Sequence, residues 1–143
     1  MTWIIAALAT LALQTGSSAN TWTWALYETG GPLVLANEIP DTPQLRSTLQ
    51  CDAGSGVARL AIFGPPMGTG FVRVTAGDAT ATTEADGSRR DQTQLTLRTD
   101  HPVFTQFVAS GNLSLALADQ TRAIAVDRIH RAKLRRFAGL CGG

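Results

Sequence analysis

Two histidines, two cysteines and one serine in a glycine-rich turn are the residues whose chemistry has to be weighed first. His101 and His130 are the only imidazoles in the 143 residues, and imidazole is the usual general base near neutral pH. A hydrolytic centre would need one of them beside a nucleophile and an orienting carboxylate. His101 follows Asp100 and precedes Pro102; chain neighbours rarely orient as a catalytic pair, and the proline fits the first turn of a helix. Ser55 lies in Asp52-Ala53-Gly54-Ser55-Gly56, without the G-x-S-x-G frame of a nucleophile elbow. The same turn lacks the lysine and the following helix of a phosphate cradle. Cys51 and Cys141 cannot hold zinc alone, and neither histidine stands at metal-ligand spacing from them. The sequence therefore predicts no catalytic residue, no metal and no cofactor. A small hydrolase using His101 or His130 is the alternative reading.

The cysteines have a simpler use. Residues Trp3–Leu13 form an apolar run too short to cross a bilayer, followed by the small residues Gly16, Ser17, Ser18 and Ala19. That is the order of a secretory signal peptide, with cleavage expected after Ala19 and a mature chain starting at Asn20. In an oxidising compartment an even cysteine count predicts a disulfide, Cys51–Cys141. The localisation expected is periplasmic or secreted, with residues 20–143 as a single domain and no transmembrane segment in the mature chain.

Composition excludes more than it assigns. Eleven acidic and twelve basic side chains nearly cancel, so net charge points neither to nucleic acid nor to an acidic substrate. Locally the balance differs: Arg128, Arg131, Lys133, Arg135 and Arg136 hold five of the twelve cations. Two candidate binding surfaces follow. Trp22 and Trp24 alternate onto one face of a strand, where aromatic rings either stack on a sugar or base or fill a core. Arg128, Arg131 and Arg135 fall on one stripe of a C-terminal helix, which is either a solvated face or a surface for anions.

These residues need elements to carry them, and the pattern is mostly of strands. Alternation marks TWTWALYE, LVLANEI, LRSTLQC, VARLAIF, FVRVTA and QTQLTLRT, with the Asp52–Gly56 turn joining the third and fourth. In VARLAIF, Leu60 and Ile62 share one face; Val57, Arg59, Ala61 and Phe63 share the other. The polar stretch ATATTEADGSRRDQ is expected to turn at Asp86-Gly87. Asp100 is the expected N-cap of a short helix near 101–110, closed by Gly111. NLSLALA and TRAIAV form a hairpin around Asp119-Gln120. A final helix over 128–140, with Asp127 as N-cap, should pack through Ile129, Leu134, Phe137 and Leu140. The fold class is mainly β (α+β): an antiparallel sandwich or open barrel with a C-terminal helix on the sheet.

The stretch DHPVFTQFVASGNLSL, the strand pair after it, the I-x-R start of the last helix and the closing FAGLC together resemble small exported bacterial proteins of the invasion-associated locus B group. The resemblance covers roughly the last 40 residues, or the last 90 with the LQCDAGSGVARL hairpin. It implies an exported, β-rich protein of the cell envelope and carries over no catalytic residue. The function expected is a non-enzymatic envelope domain with a structural or binding role, its partner an envelope protein or a glycan.

Overall fold

The computed structural model describes residues 21–142. The expected signal peptide and the expected start at Asn20 lie outside them. Two antiparallel sheets share one core. The first has five strands in the order β1 (Thr23–Tyr27), β2 (Leu33–Glu38), β3 (Leu45–Cys51), β4 (Val57–Phe63) and β7 (Gln92–Arg98). The second runs β6 (Ala79–Ala85), β5 (Gly70–Ala76), β8 (Asn112–Leu117) and β9 (Gln120–Ala125). Helix α1 (Pro102–Ser110) leads into β8, and a 3-10 turn at Arg128–His130 leads into α2 (Arg131–Gly142). This is the expected mainly β architecture, an α+β sandwich with one open side.

β6 was not foreseen as a strand. Its sequence, ATATTEA, offers only alanines to the core, so it carries little apolar signal. It hairpins with β5 through Gly77-Asp78 and meets β7 in a single bridge, Asp86 to Gln94, where the chain passes from one sheet to the other. The turn expected at Asp86-Gly87 is thus the start of a sheet-to-sheet crossing.

The core is one continuous cluster. Leu35, Leu49, Leu60 and Leu95 lie in register across four strands, facing Val72, Val74, Leu113 and Leu115 from the other sheet. The helices add Phe104, Phe107, Leu134 and Phe137, all buried, with Phe104 and Phe107 edge to face at 6.1 Å between centroids.

The hairpin at Asp52–Gly56 and the end of α2 complete each other. Gly54 and Gly56 adopt left-handed φ of 76° and 71°, which an L side chain would resist. Their N–H groups donate to the carbonyls of Leu140 and Cys141 at 2.9 and 2.8 Å. A helix leaves its last carbonyls without intrahelical partners, so this turn caps α2. Cys51 and Cys141 then join beside it as a disulfide, Cα atoms 5.7 Å apart, across a separation of 90 residues. Closing a loop of that length stabilises by about 4–5 kcal/mol on chain-entropy arguments, commonly less in practice.

Two expected helix ends are corrected. The N-cap of α1 is His101, not Asp100: its Nδ1 accepts from the Val103 N–H at 3.0 Å. Asp100 turns outward to Arg98, with contacts of 2.9 and 2.7 Å. The last helix starts at Arg131, because Arg128–His130 winds as a 3-10 turn with three residues per turn. That change of pitch throws Ile129 out to solvent, 84% exposed, instead of into the core. Leu134, Phe137 and Cys141 are buried as expected, and Leu140 is half-buried against the core.

Candidate ligand-binding groove

The outer face of the five-stranded sheet carries a trench that follows from side-chain size and register. Ala25, Ala36, Thr48, Ala61 and Gln94 pair successively across β1, β2, β3, β4 and β7. Four small residues in one row leave a low strip, and longer side chains bank it. On one side lie Tyr27, Val34, Gln50, Arg59 and Thr96, again one register row. On the other lie Glu38, Leu45, Phe63 and Gln92. Strands sit about 4.8 Å apart, and the banks are four residues apart along β2, β4 and β7 and five along β3, where the register shifts. The strip from β2 to β7 is therefore roughly 14 Å long, between banks roughly 13 Å apart. The groove holds about 800 Å³. Ala36 and Ala61 are only 3% and 8% exposed although they face away from the core, so the banks cover them.

Each end of the groove has charge. At the β1 end the Tyr27 phenol donates to the Glu38 carboxylate, reaching from one bank to the other over the alanine row. That bond, and secondarily loss of solvent, raises the Tyr27 pKa above its ordinary value, so the phenol stays a neutral donor. At the β7 end Glu84, Asp86 and Arg89 close the groove. Asp86 accepts from the Ser88 N–H at 2.9 Å, and bonding to Ser88 holds its carboxyl below the ordinary value.

Between the ends the polar groups are neutral apart from Arg59. Gln94 Nε2 donates to Gln92 Oε1 at 2.8 Å. Gln50 and Thr48 make no side-chain hydrogen bond among the described residues, and the Arg59 guanidinium leans off the bank to Asp52 at 3.5 Å. The groove was not foreseen. Its floor is written in alanines on three strands far apart in sequence, and only the register aligns them.

The sequence-predicted binding residues lie elsewhere and do different work. Trp24 is 3% exposed, with Nε1 donating to the Ala125 carbonyl at 3.1 Å; it belongs to the core. Trp22 is half-buried under the Arg46 guanidinium, 4.1 Å from the ring centroid. Among the cations of the last segment, those beside the predicted stripe are committed. Lys133 Nζ donates to the Trp24 carbonyl at 2.7 Å, and Arg136 pairs with Glu28, whose carboxyl is held below its ordinary value by that hydrogen bond. Arg131 is not part of the outer stripe: its Nε is buried without a partner and lies against Gly111. Arg128 and Arg135 remain exposed, and no ion pair holds them among the described residues.

The two histidines differ. His101 caps α1 and touches no nucleophile. His130 stands between an acid and a hydroxyl: Nδ1 is 2.6 Å from Asp127 Oδ1 and Nε2 is 3.1 Å from Thr23 Oγ1. The hydrogen bond to His130 holds Asp127 below its ordinary pKa, against a smaller opposing effect of desolvation. The same array clamps β1 to the 3-10 turn, next to the Lys133 and Arg136 contacts. Among the described residues no group of three His, Cys, Asp or Glu side chains is placed to hold a metal ion, and no helix is long and apolar enough to cross a membrane. No family model, no curated protein and no solved structure matches the chain.

Proposed function

We propose that this chain is an exported domain of the bacterial cell envelope that binds a ligand in the sheet groove and performs no catalysis. The observation that carries the reading is the trench itself, floored by Ala36, Thr48 and Ala61 and banked by longer polar and apolar side chains. The Cys51–Cys141 pair fits an oxidising compartment, and the resemblance to the invasion-associated locus B group points the same way. Thr48 is half-buried, unpartnered and on a strand, where tryptophan is well tolerated. Thr48→Trp should fill the furrow and leave the fold intact. Purified mature protein should be retained on isolated cell-envelope material, and Thr48→Trp should lose at least tenfold of that retention at an unchanged melting temperature. Equal retention by both proteins would remove the groove from the proposal.

One observation favours a second reading, a hydrolase. Asp127, His130 and Thr23 stand in the order acid, imidazole, hydroxyl at 2.6 and 3.1 Å, and in that role His130 would take the Thr23 proton. Against it, the Asp127 side chain is 56% exposed and Thr23 sits within a strand, its β-branched side chain stiff. Labelling by a fluorophosphonate, abolished in Thr23→Val and His130→Gln, would establish this reading. An unlabelled parent protein leaves the array as a clamp on β1.

A further inference from the structure

Resting on the groove as the ligand site, we infer that its ligand is a neutral saccharide chain lying across the strands. Three features of the trench select that chemistry. First, β2, β3 and β4 are each paired on both sides, so their backbone N–H and C=O groups are used within the sheet. A peptide that docks by adding a strand needs a free edge, and this groove crosses the interior of a sheet. Recognition here falls to side chains alone.

Second, the groups along the middle of the trench are amides and hydroxyls: Gln50, Thr48, Gln94 and Thr96. Each both donates and accepts, as a sugar hydroxyl does. The half-buried Thr48 methyl on the floor, with Val34 and Phe63 on the banks, offers an apolar surface for the C–H face of a sugar ring. Tyr27, 49% exposed and fixed by its bond to Glu38, offers an aromatic wall at one end.

Third, the charges do not favour an ion. An anionic ligand along the trench would meet Glu38 at one end and Glu84 with Asp86 at the other. A cationic ligand would meet Arg89 at the end, and Arg59, although turned toward Asp52, still lines the bank. An uncharged chain with many hydroxyls leaves none of these charges buried against its like, the arrangement that costs most.

The side-chain NH2 resonances of Gln50, Gln92 and Gln94 provide the readout. ¹⁵N-labelled mature protein is titrated with a panel of neutral oligosaccharides, each four hexose or N-acetylhexosamine units long, and with an end-capped tetra-alanine peptide. At least one saccharide should shift the Gln50 and Gln94 amides saturably, and the peptide should not. The double variant Gln50→Ala/Gln94→Ala should weaken that binding about tenfold or more, two lost hydrogen bonds being worth roughly that; its other resonances should stay in place. Saturable shifts by the peptide and none by the saccharides would overturn the saccharide and keep the groove. Silence from the whole panel at millimolar concentration, with envelope retention still dependent on Thr48, would do the same. Silence together with retention indifferent to Thr48→Trp would overturn the groove as well.

Discussion

On the inner face of the five-stranded sheet Leu35, Leu49 and Leu60 follow one another across three strands; one residue along, on the outer face, Ala36, Thr48 and Ala61 do the same. The first row fills the space against the second sheet and is at most 1% exposed. The second leaves a furrow. The strands, register and hydrogen bonds are common to both faces; the inner row meets the second sheet, and on the outer face side-chain volume shapes the furrow. Alternation decides which face a residue joins. The volumes along a cross-strand row decide whether that face becomes a wall or a groove.

The largest effect that sharpens this contrast belongs to the inner side. Phe137 is fully buried and packs α2 under the sheets. Phe137→Ala should lower unfolding free energy by about 3–5 kcal/mol, read from the denaturant midpoint at constant slope. Ile129→Ala, one residue type that a helical wheel would also place in the core, should change it by less than about 0.5 kcal/mol, because Ile129 is exposed. A comparable loss for both would mean that the 3-10 turn does not set the start of the last helix.

Much of the inner side was legible in the sequence. LRSTLQC and VARLAIF alternate cleanly, and two cysteines have one possible pairing, so the hairpin, its inward residues and the staple could be read directly. The failures have local causes. His101 caps α1 through an imidazole nitrogen, outside the usual set of Ser, Thr, Asp and Asn. Ile129 followed from assuming 3.6 residues per turn where the chain uses three. The groove was illegible for a different reason. Ala36, Thr48 and Ala61 are unremarkable alone, and their alignment is a property of strand register, which joins residues 12 and 13 positions apart.

The smallest expected effect concerns the last helix, and it decides between the two surfaces that could bind. Reading the helix as α from residue 128 made Arg128, Arg131 and Arg135 equivalent; the structure does not. Arg131 buries its Nε beside Gly111, so Arg131→Glu would place an acid where packing and a close backbone leave little room. Arg128 and Arg135 are exposed cations with no ion pair among the described residues, and exposed charges are screened and weakly coupled. Arg128→Glu/Arg135→Glu should therefore move stability by no more than about 0.5 kcal/mol, with the disulfide and the α2 cap intact. If the trench is the binding surface, envelope retention should also stay at the parent level, because neither residue lines it. Retention lost in this double reversal, with melting unchanged and Thr48→Trp still bound, would transfer the function from the sheet to the cationic face of α2. It would make an anionic surface, not a saccharide, the partner.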